Sequence, residues 1–201
     1  MNLYPLARGL ANALFCVFFR PRVVLGQEHL NPDETVIYCA NHRHFYDPFL
    51  IAVHVKKQIH FMAKKELFEN KILGWIMTHL GAFPVDRGRA DVASIKRAVT
   101  ALEEDKIVGI FPEGTRSHDD AMGQIHAGAV WIALKSGKAI VPAYIDSRGL
   151  FKQTRIFVGE KIDFTLGEGE RINAATRDAA AQKLSQAMLE LEAIAENWSK
   201  N

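Results

Sequence analysis

Two cysteines in 201 residues, Cys16 and Cys39, are too few for a disulfide framework. Cys16 sits in an apolar N-terminal segment and Cys39 in an apolar run, so a reducing compartment is the simple inference. Charge of one sign is equally scarce. Basic and acidic residues number 25 and 23, the net charge is +2, and the isoelectric point is about 8.5. No Arg/Lys stripe interleaves with stacking aromatics, so nucleic acid is not an expected partner. There is no internal repeat, no low-complexity tract and no Cys/His zinc spacing. The G-x-S-x-G elbow of serine hydrolases is missing, and so is the G-x-x-x-x-G-K of a P-loop. An uninterrupted membrane span is missing too. Leu3 to Phe19 is largely apolar but broken by Pro5, Arg8, Gly9 and Asn12, and an arginine inside a span costs about 2.5–3.5 kcal/mol. A signal peptide fits poorly, because no charged start precedes the apolar core beyond Arg8 and no small-x-small cleavage site precedes Arg20.

What remains is ordinary globular composition, 48% hydrophobic and 24% charged, enough for one domain with a real core. On a helical period Leu3, Leu6, Leu10, Leu14 and Val17 line one side of the N-terminal segment. Phe15, Phe18 and Phe19 widen that side, and Arg20 and Arg22 follow. The pattern suits a helix lying in a membrane interface with its arginines at the headgroups; it also suits a helix packed on the protein's own core. The division expected is a membrane-associating helix over 1–21 and one domain over 22–201.

Downstream, apolar runs predict strands at 22–26, 35–40, 58–63, 82–85, 107–111, 139–145 and 154–159. Pro84 suits an edge or a bulge better than a central position. Helical patterns are predicted at 48–55, 72–80, 125–134, over the stripe Val92, Ile95, Val99 and Leu102, and along 173–198, with Ala180, Leu184, Met188, Leu191, Ile194 and Trp198 on one face. Strands alternating with helices predict an α/β domain. Its sheet is mixed and largely parallel, flanked by helices and closed by a long C-terminal helix. In such sheets sites form beyond the carboxyl ends of the strands. Asn41, His42, Arg87, Glu113 and Arg116 all follow strand ends.

The stretch TVIYCANHRHFYDP at 35–48 is the centre of this reading. A buried run ends in Asn41 and His42, and Asp47-Pro48 reads as a helix start with Asp47 at the N-cap. A short loop brings imidazole and carboxylate together beside a helix N-terminus. His42 could then act as general base, with Asp47 holding its tautomer and stabilising the imidazolium. The same residues also suit a plain helix cap and a surface histidine. His44 alternates with His42 and reads as structural. In FPEGTRS, at 111–117, Arg116 offers a phosphate fork, and Thr115 and Ser117 offer hydroxyls. Arg87 is a second cation, and Glu113 can accept from a substrate hydroxyl or orient Arg116. That loop also suits a simple surface turn. A metal site would require His42, His44 and Asp47 to converge, against the alternation of extended chain. No metal or organic cofactor is expected.

NHRHFYD, with His42 and Asp47, resembles the N-H-x4-D signature of the glycerolipid acyltransferases, which include the lysophosphatidic acid acyltransferases. FPEGTRS resembles their third block, Val141-Pro142 their fourth, and GAFPVDR at 81–87 is similar to their second, G-x-x-F-x-x-R. The blocks occur in order over about residues 35–145. Two departures stand out: Phe83 is one place early, with Pro84 in the usual Phe position, and 125–128 reads IHAG where relatives carry F-K-x-G. The resemblance implies acyl transfer from a thioester, acyl-CoA or acyl carrier protein, to the free hydroxyl of 1-acyl-sn-glycerol-3-phosphate, or to another lysophospholipid or hydroxylated acceptor; the rival reading is a non-catalytic, membrane-associated lipid-binding protein of the same fold. It implies His42 and Asp47 as the catalytic pair. The substrate-binding set is Asn41, Arg87, Glu113, Gly114, Thr115 and Arg116, with oxyanion donors near Gly114 or the Asp47 helix start. It also implies work at a membrane surface, on the cytoplasmic face. Direct attack needs no covalent intermediate, so a Cys39→Ala enzyme is expected to keep its thioester-dependent turnover. Loss of that turnover would reinstate Cys39 as a nucleophile.

Overall fold

The computed structural model describes residues 9, 13, 16–86, 92–114, 127–164, 166 and 171–200. Its strands are β1 (Arg22–Leu25), β2 (Ile37–Ala40), β3 (Ile59–Lys64), β4 (Phe83–Val85), β5 (Ile107–Ile110), β6 (Ile140–Asp146) and β7 (Arg155–Val158). They form one seven-stranded sheet in the order β1-β7-β6-β2-β5-β3-β4. Every neighbouring pair is parallel except β6 and β7. The helices are α1 (Asp47–Ala52), α2 (Lys71–His79), α3 (Val92–Glu103), α4 (Gly128–Ser136) and α5 (Ala174–Lys200), with 3-10 turns at Gln27–Leu30 and Lys65–Phe68. The sequence expectation of a mixed, mostly parallel sheet flanked by helices is met.

Strand alternation explains the layers. In β2 and its approach, Val36, Tyr38 and Ala40 face a core completed by Leu50 and Ile51 of α1. Ile37 and Cys39 face the opposite core, built from Ala98 and Leu102 of α3, Ile132 and Ala133 of α4, and Leu184 and Met188 of α5. Consecutive residues of a strand point to opposite faces, so a continuous apolar run is what a sheet covered on both sides demands. Cys39 is fully buried and its thiol pKa is pushed far up by desolvation, which keeps it protonated and inert. β4 with Pro84 lies on the sheet edge, where a missing N–H costs least.

Three expectations shift. The helix after the His42 loop begins with Asp47 already in its first turn, and the N-cap position is Tyr46. The Asp47 carboxylate is drawn back onto the loop before it instead of capping its own helix. Along α5 the buried stripe runs through Leu184, Met188, Leu191 and Ala195, whereas Ile194 and Trp198 are exposed. Alternating steps of four and three keep to one face of the helix, but a second step of three in succession, Met188 to Leu191 to Ile194, turns off that face. Near the N-terminus Phe19 is buried and its ring lies 4.2 Å from Tyr46, so it packs on the core, while Cys16 and Val17 are exposed. Most of the segment 1–15 lies outside the described residues, and no described helix is long and apolar enough to cross a membrane.

Gly109 in β5 does specific packing work. A Cβ built there would lie 2.3 Å from the Phe61 ring, so glycine makes room for that ring. Phe61 in turn stacks on Phe111 at 5.7 Å and 11°. Gly109→Ala is therefore expected to destabilise by about 1–3 kcal/mol through overpacking, read as a lower Tm in thermal unfolding. In a double-mutant cycle with Phe61→Ala, the combined loss should fall short of the sum, because the alanine then occupies vacated space. Strict additivity would refute the steric account.

Candidate active site

Parallel pairing of β2 with β5 puts their carboxyl ends side by side. Each strand is followed by a conformationally fixed turn. After β5, the amide of Gly114 donates to the carbonyl of Phe111 at 3.0 Å, closing a turn with Gly114 at φ 68°, where a side chain would be strained. After β2, Asn41 is buried, and its amide pairs both ways with the backbone of Ile145. Nδ2 donates to the Ile145 carbonyl at 3.1 Å, and the Ile145 N–H donates to Oδ1 at 2.7 Å. This continues the β2–β6 ladder by one side chain and fixes where the next residue leaves the sheet. Asn41, expected to bind substrate, is thus occupied as a fastener of strand ends.

His42 leaves that fastening held on three sides. Its Nδ1 lies 3.1 Å from Asp47 Oδ2. Its backbone N–H donates to Glu113 Oε1 at 2.9 Å. Its ring stacks on Phe111 with centroids 4.2 Å apart and 22° between planes. Asp47 Oδ2 also accepts the backbone N–H groups of Arg43 and His44, each at 2.7 Å. A carboxylate oxygen holding two amides acts as an acceptor, so in the neutral ring Nδ1 of His42 carries the proton and Nε2 has the lone pair. That is the tautomer a base needs. His42, Asp47 and Glu113 are all buried. His44 stacks on Tyr46 at 4.9 Å, in keeping with a structural part.

Glu113 therefore has a role that the sequence reading did not assign: it grips the main chain at His42. Gly114 and the α1 start also change. The Gly114 amide is spent on its turn, and that of Asp47 donates to the His44 carbonyl at 3.1 Å. Neither remains as an oxyanion donor. Arg87, Thr115 and Arg116 lie outside the described residues.

One further network reaches the loop from the far end of the chain. Arg43 Nη2 donates to the Tyr144 hydroxyl at 2.8 Å and lies 3.8 Å from Glu192 Oε1 of α5, and the same hydroxyl donates to Glu192 at 3.3 Å. Burial is the main cause holding the Tyr144 hydroxyl well above its ordinary pKa, so it stays a neutral donor and acceptor between the two charges. The signal for this in the sequence is a single acidic residue, Glu192, inside the apolar row of α5.

Removing the Glu113 acceptor leaves the buried N–H of His42 unpaired. Glu113→Ala is expected to cost about 1–3 kcal/mol in urea unfolding, whereas Glu113→Gln, which keeps an oxygen acceptor, is expected to cost about half as much or less. Equal stability of the alanine variant and the wild type would refute this role for Glu113.

Three comparisons bear on this arrangement. A family model described as Acyltransferase matches residues 21–146. The chain is 37% identical over 180 residues to a 1-acyl-sn-glycerol-3-phosphate acyltransferase of Bacillus subtilis (strain 168), covering 84% of this chain and 87% of that protein. It is 31% identical over 174 residues to the enzyme of the same name from Streptococcus pneumoniae (strain ATCC BAA-255 / R6), covering 84% of this chain and 64% of that protein. The crystal structure of the 1-acyl-sn-glycerophosphate (LPA) acyltransferase PlsC from Thermotoga maritima matches with a TM-score of 0.70 at 23% identity, over 94% of this chain and 80% of that one, and so shares its fold. On the family match and the extent of these identities, the chain belongs to the acyltransferase family and is an O-acyltransferase.

Proposed function

We propose that the protein transfers a fatty acyl group from an acyl thioester, acyl-CoA or acyl carrier protein, to the free hydroxyl of 1-acyl-sn-glycerol-3-phosphate, giving phosphatidic acid. The observation that carries this reading is the 3.1 Å contact between His42 Nδ1 and Asp47 Oδ2, set on the strand-end rim where the Glu113 loop also begins. The names of the Bacillus and Streptococcus relatives support the acceptor.

His42 Nε2 takes the proton of the acceptor hydroxyl as its oxygen attacks the thioester carbonyl. Asp47 stabilises the imidazolium that forms. The tetrahedral oxyanion collapses, the carbon–sulfur bond breaks, and the departing thiolate takes the proton from the imidazolium. The products are the acylated lipid and a free thiol. This sequence needs no acyl-enzyme, in agreement with the buried, protonated Cys39, and it calls for no metal or organic cofactor. Arg116 and Arg87, with the hydroxyl of Thr115, serve the acceptor phosphate on the strength of the sequence blocks, since a guanidinium matches phosphate as a fork. The acceptor is a lipid, which puts the working protein at a membrane surface, on its cytoplasmic face.

The test is purified protein with labelled acyl-CoA or acyl carrier protein and a panel of lysophospholipids, reading thiol release and the product by mass spectrometry. Phosphatidic acid is the expected product. Activity confined to another lysophospholipid would move the acceptor, and inertness with all of them would overturn the reading. His42→Ala should lower kcat about 10²–10⁴-fold or more with acceptor affinity kept, and Arg116→Ala should act mainly on acceptor KM. Near-normal turnover of His42→Ala would remove the base assignment.

A further inference from the structure

The C-terminal helix α5 carries one acid where its packing calls for an apolar residue. Glu192 is 8% exposed and adjoins Leu191, which packs with Ala195 on Tyr144 and Phe157 of the sheet. A leucine would fill that position without the cost of taking a carboxylate out of water, so packing alone does not account for the acid. The groups around it do account for it. The Arg43 guanidinium donates to the Tyr144 hydroxyl at 2.8 Å and lies 5.6 Å from the centre of that ring. The hydroxyl donates onward to Glu192 Oε1 at 3.3 Å, and the same oxygen lies 3.8 Å from Arg43 Nη2.

This chain of contacts ends beside His42. Arg43 directly follows it, and the Arg43 N–H donates at 2.7 Å to Asp47 Oδ2, the oxygen that also takes His42 Nδ1. A residue gripped by its guanidinium at one end and its amide at the other has little freedom to rotate about the bonds it shares with His42. On the other side of the histidine, Asn41 is fastened to the backbone of Ile145. The two residues that flank His42 are thus tied to successive positions of β6, Tyr144 and Ile145. Only the second tie is made by the sheet alone; the first is completed by α5.

α5 is itself pinned close by. Two turns beyond Glu192, Ser199 Oγ accepts from Arg155 Nη2 at 2.6 Å and from Arg148 Nη2 at 2.5 Å. Arg155 Nε also donates to Asp146 at the end of β6 at 2.9 Å. The Glu192 carboxylate is therefore offered from a docked stretch of helix and not from a fraying end.

We propose that Glu192 is a positioning residue for the transfer reaction: through Tyr144 and Arg43 it holds the peptide that follows His42, so that the imidazole stays on Asp47 and presents Nε2 to the acceptor. The inference rests on His42 as the base proposed above.

Glu192→Leu suits both the helix and its apolar neighbours. It is expected to lower kcat about 10–10²-fold, the cost of a small misplacement of a reacting group, with KM for thioester and lysophospholipid kept within about twofold. Glu192→Gln keeps an oxygen acceptor for both partners and should return kcat to within about threefold of wild type. Tyr144→Phe should lower kcat in the same sense, and adding Glu192→Leu to it should cost little more, because both break one chain of contacts. Leu184→Ala, a packing loss on the same helix, should lower Tm and leave kcat within about twofold. A second measurement needs no turnover: NMR of the histidine ring nitrogens in labelled protein, at a pH where the ring is neutral, with the His42 signals assigned through His42→Ala. Wild type is expected to show Nδ1 protonated, and Glu192→Leu to show exchange with the other tautomer. Wild-type kcat in a folded Glu192→Leu, a loss in KM alone, fully additive losses with Tyr144→Phe, or ring signals identical to wild type would each overturn the proposal. Should His42→Ala keep its turnover, the base reading falls, while the ring signals of Glu192→Leu still decide whether α5 positions the imidazole.

Discussion

One carboxylate oxygen organises the site. Asp47 Oδ2 receives the His42 imidazole and the N–H groups of residues 43 and 44, and Asp47 is 1% exposed. Burying a carboxylate is costly unless donors replace its water. Two amide dipoles and an imidazole N–H at hydrogen-bond distance supply that replacement, and the first turn of α1 adds its positive end. The fold does not satisfy the group fully, because Oδ1 has no hydrogen-bond partner among the described residues. The asymmetry has a consequence. All the donors converge on the oxygen that faces the imidazole, so the loop backbone and the histidine tautomer are set by the same atom. Moving either the loop or the ring loosens the other.

The sheet makes that convergence possible. Parallel β2 and β5 deliver His42 and Glu113 to one rim, and the Glu113 contact to the His42 main chain ties the two strand ends together beyond their last ladder bonds. On the other side Asn41 does the same between β2 and β6. The histidine thus sits at the end of a strand clamped from both neighbours, with its ring against Phe111. Phe111 leans on Phe61, and Phe61 occupies the space that Gly109 leaves. A side chain carried on a sheet is held more precisely than one on a free loop.

What was legible in the sequence is what depends on short-range pattern. The continuous apolar run before Asn41 announced a strand buried on both faces, Pro84 announced an edge, and the five-residue step from His42 to Asp47 announced their contact, because a loop that short ties the two closely. The Asp47 cap was misplaced by one residue, since local statistics cannot weigh a carboxylate's choice between its own helix and the loop behind it. The Glu113–His42 and Arg43–Glu192 contacts join residues far apart in the chain, and no pattern on either segment names the other. Glu192 and Gly109 were nevertheless visible as irregularities, an acid in an apolar row and a glycine in a β-branched strand. Such breaks of a local rule are where a tertiary constraint has overridden propensity.

Arg43 shows how the C-terminal helix enters the chemistry without touching it. The residue is held at both ends, its N–H by Asp47 and its guanidinium by Tyr144 and Glu192. A partly buried ion pair adds little net stability on its own, because desolvation of both charges offsets much of their attraction. Its value here is in specificity. With the guanidinium bound to α5 and the N–H bound to Asp47, the residue that follows His42 is fixed from both sides. The negative charge on α5 therefore helps to hold the loop whose backbone Asp47 grips from the other side.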